Sequence, residues 1–151
     1  AERWCVGHPG WRVAEDREFE RLPDDRPVWL LGWENRHLEA FARDAADFAL
    51  TLDDGQAPRL ALTSNPNGMN ATLDPTTDSP VLTRRMADQP IAWMATRLPD
   101  ALPALARKLP HYGKYSVLSF SGPESTNTLK GQWPTGDSAL TSRLLSRART
   151  R

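Results

Sequence analysis

The chain has little of what marks the most specialised classes of protein. It has one cysteine, Cys5, so no disulfide can form within it and folding must depend on a hydrophobic core. Its 19 Lys and Arg balance its 19 Asp and Glu, so no overall basic field favours nucleic acid as a partner. No apolar run approaches the roughly 20 residues that a membrane-spanning helix needs. We therefore expect no nucleic acid partner and no membrane-spanning segment.

Motifs of catalysis and cofactor binding are also missing. The sequence contains no H-E-x-x-H, no C-x-x-C, no Gly-rich phosphate loop and no G-x-S-x-G. Its three histidines, His8, His37 and His111, are isolated from one another along the chain. Cys5 lies three residues before His8, but a catalytic cysteine needs an activating environment, and we expect Cys5 to be buried or inert. We therefore predict no metal site, no cofactor and no catalytic residue in this chain.

The first half of the chain contains a strand–helix–strand pattern. Residues 28–33 (VWLLGW) form a short apolar run behind a proline, which is typical of a buried strand. Asn35 suits the N-cap of a helix whose apolar residues recur at three- and four-residue steps from Leu38 to Leu52. Residues 59–63 (RLALT) fit a second strand. This spacing predicts a parallel strand pair joined by a right-handed crossover.

A second unit follows a loop that we expect over residues 64–80, which are rich in Asn, Pro, Asp, Ser and Thr. We predict strands over residues 81–83, 91–96 and 115–120, and a mixed loop after the last of them. Between the second and third strands we predict a helix over 98–109, which Pro110 ends, and a left-handed conformation at Gly113. Two such units predict an α/β fold with a small, mostly parallel sheet and flanking helices, a Rossmann-like sandwich. We expect one domain over residues 1–135 and a basic, flexible tail over 136–151.

Residues 109–120 (LPHYGKYSVLSF) gather several reactive side chains at the predicted helix-to-strand turn. One hypothesis makes His111 a general base and Tyr112, Lys114 or Tyr115 a group that polarises a substrate. The other hypothesis is structural: His111 or Lys114 places positive charge at the carboxyl end of the helix, and the tyrosine rings pack on the turn. We favour the structural interpretation, because ligands of open α/β sheets bind beyond the carboxyl ends of the strands, whereas this turn precedes a strand.

The loop after the first strand is the better candidate for a ligand, since it offers a helix amino terminus and several polar groups. Its candidate residues are Trp33, Glu34, Asn35, Arg36 and His37. Tryptophan is frequent, with six in the chain. Trp29 and Trp93 lie inside predicted strands and are expected in the core. The remaining four, Trp4, Trp11, Trp33 and Trp133, fall in loops or edges and are expected at a domain interface.

Three stretches resemble a known family. They are PVWLLGWENR, IAWMATRLPDALPALARKL and, most distinctively, HYGKYS followed by TNTLKGQWP. Residues 27–134 resemble a carboxyl-terminal region of large bacterial proteins related to zinc peptidases of the aminopeptidase-N type. The chemistry of that family belongs to a H-E-x-x-H helix and a downstream glutamate, which this chain lacks, so no catalytic residue of the family maps onto it. The resemblance implies an accessory domain beside the catalytic part of a larger polypeptide, in the bacterial cell envelope or periplasm.

The expected function is therefore that of a non-catalytic accessory domain, which packs on the catalytic part of a zinc-dependent aminopeptidase or helps to bind its substrate. Two alternatives remain open. One is a small stand-alone hydrolase with His37 or His111 as its base. The other is a module that binds an anion or a sugar at the loop formed by residues 32–37.

Overall fold

The computed structural model describes residues 8–43, 50–51, 59–61, 70–86 and 88–132. Within these ranges the chain forms eight strands, two α-helices and three short 3-10 turns. The strands are β1 (Val28–Leu31), β2 (Leu50–Thr51), β3 (Arg59–Ala61), β4 (Asn70–Thr72), β5 (Asp78–Met86), β6 (Gln89–Met94), β7 (Val117–Ser121) and β8 (Thr126–Gly131). The helices are α1 (Leu38–Arg43) and α2 (Leu102–Lys108), and the 3-10 turns are Asp16–Glu18, Pro99–Ala101 and Leu109–Tyr112.

Five strands form a mixed sheet in the order β1-β6-β5-β7-β8. β1 pairs in parallel with β6, whereas the pairs β6-β5, β5-β7 and β7-β8 are antiparallel. The predicted mostly parallel, Rossmann-like sheet is therefore wrong. The cause is β5, which forms a hairpin with β6 in which Met86 lies opposite Gln89. The hairpin makes β5 run against β6, and β7, which follows β6 after α2, also pairs antiparallel with β5.

The first predicted strand–helix–strand unit is also wrong. β3, which was expected beside β1, belongs to a separate antiparallel sheet in the order β2-β3-β4. β2 lies at Leu50–Thr51, where the predicted helix would have continued to Leu52. The parallel partner of β1 is instead β6, with Leu30 opposite Trp93. Apolar periodicity locates elements, but it does not say which strands pair.

The second unit is present with one strand more than predicted. β6, α2 and β7 follow one another as expected. Since β6 and β7 both pair antiparallel with β5, they run in the same direction with β5 between them. The expected loop over 64–80 contains β4 and the start of β5, and the expected loop after β7 contains β8. Asp, Ser and Pro at the start of β5, and Asn and Gly in β8, are typical of loops, which explains both omissions.

The sheet buries apolar side chains on both faces, because successive residues of a strand point to opposite sides. One cluster, the α1-side core, includes Leu38 and Phe41 of α1 with Trp93 of β6. The other, the α2-side core, includes Leu105 of α2 with Met94 of β6. The other members of the α1-side core are Leu30, Ala42, Leu73, Leu82, Ile91, Ala95 and Val117, and those of the α2-side core are Val81, Ala101, Leu118 and Phe120. The two helices thus cover opposite faces of the sheet.

Among the helices in the described ranges, none combines the length and the apolar character that crossing a membrane requires.

Candidate functional site

The loop that leaves β1 lies at the carboxyl ends of the parallel pair β1-β6. Gly32 begins it with φ +95°, a backbone conformation that glycine adopts without strain. Its N–H donates to the carbonyl of Met94 at 2.9 Å, and its carbonyl accepts from the indole Nε1 of Trp93 at 2.9 Å. Both main-chain groups of Gly32 are therefore held by β6, which sets the direction in which the loop leaves the sheet.

The polar groups of this loop bond within the protein. Asn35 Oδ1 accepts from the main-chain N–H of His37 at 3.0 Å, which closes the turn that leads into α1. Asp16 then holds the loop from outside: its Oδ2 accepts from the N–H of Arg36 at 2.9 Å, and its carbonyl oxygen lies 3.1 Å from His37 Nε2. A carbonyl can only accept, so Nε2 of His37 carries the proton in this contact. His37 is only 7% exposed, and its ring fastens the loop to the 3-10 turn Asp16–Glu18.

The other two candidates of the loop differ in their surroundings. Trp33 is half-buried and meets Trp93 edge-to-face, with ring centroids 5.2 Å apart. Its Nε1 is buried and has no hydrogen-bond partner within the described part of the chain. Glu34 forms an ion pair with Arg97 at 2.5 Å, and both side chains are largely exposed. Trp33 is thus a packing residue, and the Glu34–Arg97 pair forms the solvent face of the loop.

The segment around the tyrosines forms a turn of a different kind from the one predicted. α2 ends at Lys108, and the chain continues through the 3-10 turn Leu109–Tyr112. Gly113 has φ −56°, a right-handed conformation, so the predicted left-handed glycine is wrong. Tyr112 packs edge-to-face on Phe120, with ring centroids 5.4 Å apart, and lies 6.0 Å from Tyr115. The two tyrosines belong to the margin of the α2-side core, and His111 is exposed.

Two lysines lie beside the ring of Tyr115, in the segment over residues 109–115 that we call the tyrosine turn. The ammonium group of Lys114 is 5.2 Å from the ring centroid of Tyr115, and that of Lys130 is 5.8 Å from the same centroid. Both lysines are exposed, and no carboxylate of the described residues pairs with either. Sequence analysis missed Lys130, because its strand, β8, was expected to be loop. Exposed and half-buried residues alternate along β8 in the structure, but Leu129 is the one apolar residue in it, so the sequence offered no clear signal of a strand.

The two candidate groups are not brought together. The loop after β1 follows the carboxyl end of that strand, whereas the tyrosine turn precedes the amino end of β7. β1 and β7 run in the same direction, so the two groups lie at opposite ends of the sheet. His37 and His111 therefore do not share a site. Trp133, Trp4, Cys5 and the tail over 136–151 lie outside the described residues.

An aromatic surface lies beside β1. The sequence predicted an interface position for Trp11 but a core position for Trp29. The imidazole of His8 stacks on Trp11 at 4.5 Å between ring centroids, and Trp11 lies 6.5 Å from Trp29. Trp11 is 47% exposed and Trp29 36%. We call His8, Trp11 and Trp29 the N-terminal aromatic surface. The expectation of a core position is confirmed for Trp93 and wrong for Trp29, because β1 is the outermost strand of its sheet.

One exposed carboxylate has a clear structural role at the entry to β5. The hydroxyl of Thr76 donates to Asp74 Oδ1 at 2.7 Å and the N–H of Thr76 does so at 2.8 Å. The hydroxyl bond, followed by the N–H bond, holds the pKa of the Asp74 carboxyl below its usual value. Asp74 therefore stabilises a turn.

Within the ranges that the structure describes, no three His, Cys, Asp or Glu side chains are placed together in a way that would hold a metal ion. Comparisons with profiles of known protein families, with curated proteins and with solved structures found no match.

Proposed function

We propose that the chain is a non-catalytic accessory domain of a larger bacterial peptidase-like protein and that its N-terminal aromatic surface packs against the rest of that protein. The observation that carries the proposal is the exposure of Trp11 and Trp29 side by side. Tryptophan is enriched among the residues that dominate binding energy at interfaces, because it combines a large apolar area with few rotatable bonds. The resemblance of residues 27–134 to a region of aminopeptidase-N-type proteins supports the choice of parent.

The surroundings of His37 favour a binding domain over a stand-alone hydrolase that uses this residue as its base. The main-chain N–H of His37 donates to the side chain of Asn35, and its ring nitrogen Nε2 bonds to the main-chain carbonyl of Asp16. A general base needs an accessible nitrogen within reach of a substrate proton, and His37 is only 7% exposed. The anion- or sugar-binding alternative at residues 32–37 has less support too, since the amide groups of Arg36 and His37 already donate to Asp16 and Asn35.

The first experiment is to sequence the genomic DNA on the 5′ side of the Ala1 codon. The proposal expects an open reading frame that continues through a H-E-x-x-H motif and a downstream glutamate codon. A start codon directly before Ala1 would overturn it. A frame that continues through some other kind of domain would remove the peptidase assignment and leave only a docking role.

The second experiment measures the contact itself. The polypeptide that precedes Ala1 is purified separately, and its affinity for this chain is measured by isothermal titration calorimetry. Alanine at one interface tryptophan costs about 2 kcal/mol or more when the residue is a hot spot, so Trp11→Ala is expected to weaken binding by about 30-fold. Leu102→Ala, at a residue that is 42% exposed on α2, is the matched control and is expected to bind normally. Equal affinities for the two variants would refute the assignment of the surface.

A third measurement addresses catalysis. The chain alone is incubated with aminoacyl-nitroanilides in a zinc-containing buffer, and hydrolysis is followed by absorbance. We expect no hydrolysis above background. Zinc-dependent turnover that Trp11→Ala leaves intact would contradict the accessory role and return attention to the histidines.

A further inference from the structure

We propose that Lys114 and Lys130, held together by the ring of Tyr115, form a binding site for an acidic segment of a protein partner. Both ammonium groups lie within 6 Å of one ring centroid, at 5.2 and 5.8 Å. Cation–π attraction of this kind favours conformations in which the two charges stay near the ring. Two like charges held at one place repel each other, and a carboxylate placed between them removes that repulsion.

The backbone at this site is fixed by contacts between the turn and β8. The N–H of Ser116 donates to the carbonyl of Gly131 at 3.0 Å. The side-chain amide of Gln132 donates to the carbonyl of Lys114 at 2.6 Å. These bonds join the segment that carries Lys114 to the segment that carries Lys130. A site whose backbone is already ordered loses less entropy when it binds a ligand.

The distribution of charge along the sequence supports an anionic partner for the carboxyl-terminal part of the chain. Residues 101–151 contain eight Lys and Arg and two Asp and Glu, a net charge of +6, whereas residues 1–100 contain eleven and seventeen, a net charge of −6. The overall balance therefore conceals a strong asymmetry. All three lysines of the chain, at positions 108, 114 and 130, fall in the basic part. The described residues of this part, 101–132, contain four Lys and Arg and one Glu, and this local excess of positive charge favours an anionic partner.

The rings at the site favour carboxylates over nucleotide bases. Single-stranded nucleic acid is bound by bases stacked on open aromatic faces. Here the ring of Tyr115 contacts both lysines, and the ring of Tyr112 packs against Phe120. A short acidic peptide needs only the two ammonium groups and leaves the rings as they are. Glutamate and aspartate side chains are therefore the chemistry that this surface recognises.

This inference does not depend on the N-terminal aromatic surface. Lys130 lies on β8 and Trp29 on β1, and these strands are at opposite edges of the five-stranded sheet. A partner bound at one edge leaves the other open. The two proposals are therefore refuted by different variants.

The test uses the full chain and a fluorescein-labelled peptide of glutamates, with an all-glutamine peptide as the reference. Binding is measured by fluorescence anisotropy at low ionic strength and again at about 1 M salt, where charges are screened beyond about 3 Å. The K114Q/K130Q double variant is expected to bind the acidic peptide about fivefold more weakly, since exposed ion pairs are individually weak. The R17Q/R21Q double variant removes the same charge from other exposed positions and is expected to bind normally. Circular dichroism checks that both variants fold.

A selective, salt-sensitive loss in K114Q/K130Q supports the proposal. No binding by the native chain, or equal losses in the two double variants, would overturn it. The same titration is run with an oligothymidylate and with phosphatidylserine vesicles. If either binds the native chain more tightly than the acidic peptide does, and loses affinity in K114Q/K130Q, the assignment to a protein partner is wrong.

Discussion

Gly32→Ala and Gly113→Ala together measure the strain of one backbone conformation. Gly32 has φ +95° and Gly113 has φ −56°. A methyl group added at either position meets no atom within 4 Å. Neither substitution therefore creates a steric clash outside its own backbone, and the two variants differ mainly in the sign of φ.

The expected magnitude follows from that difference. Alanine restricts the unfolded chain equally at both positions, so this contribution cancels when the two variants are compared. A left-handed conformation costs an L-residue roughly 1–2 kcal/mol. We expect Gly113→Ala to stabilise the protein by about 0.4–1 kcal/mol and Gly32→Ala to be less stable than Gly113→Ala by about 1–2 kcal/mol.

The assay is urea denaturation at equilibrium, followed by far-ultraviolet circular dichroism. With a slope of roughly 2 kcal/mol per molar urea, the midpoints of the two variants should differ by about 0.5–1 M. Equal midpoints would refute the reasoning. So would a Gly113→Ala variant that loses as much stability as Gly32→Ala, because this would mean that Gly113 is the left-handed residue that its sequence context suggested.

Three further perturbations test the core and the turn before β5. Trp93→Phe removes the indole N–H that bonds the loop after β1, and we expect the free energy of unfolding to fall by about 2–4 kcal/mol. Leu105→Ala, at a fully buried position of α2, should lower it by about 3 kcal/mol, whereas Leu102→Ala should change it by less than about 1 kcal/mol. Thr76→Ala should raise the pKa of the Asp74 carboxyl toward its ordinary value, measured by carboxyl-carbon NMR, because the hydroxyl is the main cause of the lowered pKa. Since that pKa is lowered in the folded state, the stability contributed by Asp74 is present above the unfolded pKa and is lost as pH falls through the folded pKa.

Each of these predictions has a control. Trp29→Phe changes the same residue type at an exposed position of the adjacent strand, and a loss as large as that of Trp93→Phe would contradict the assigned role of the indole bond. Equal losses in the two leucine variants would contradict the burial that distinguishes them. Thr77→Ala is the neighbouring control for Asp74, and an unchanged Asp74 pKa in Thr76→Ala would show that the hydroxyl bond does not form in solution.

The candidate site was predictable only where its residues act locally. Residues 32–37 were identified as a loop at the carboxyl end of a strand, and this is where the structure places them. The role of His37 was not predictable, since Asp16 contacts it from a turn twenty-one residues away. Lys130 was missed for the same kind of reason: it reaches Tyr115 only because β8 pairs with β7.

The sequence by itself determined the elements that rest on continuous apolar runs and on breakers near them. β1, β6, α2 and β7 lie where the sequence predicts them, and Trp93 is buried as expected. These features depend on side-chain patterns over a few residues, which a single segment carries in full.

Only the tertiary structure decided which strands pair and in which direction. β5 lies between β6 and β7, so a sheet that was expected to be parallel is mostly antiparallel. Strand order also makes β1 an edge, and this leaves Trp29 exposed although its sequence context is that of a core strand. Strand pairing depends on hydrogen bonds and on packing between segments that are distant along the chain, and the periodicity of each segment contains no information about its partner.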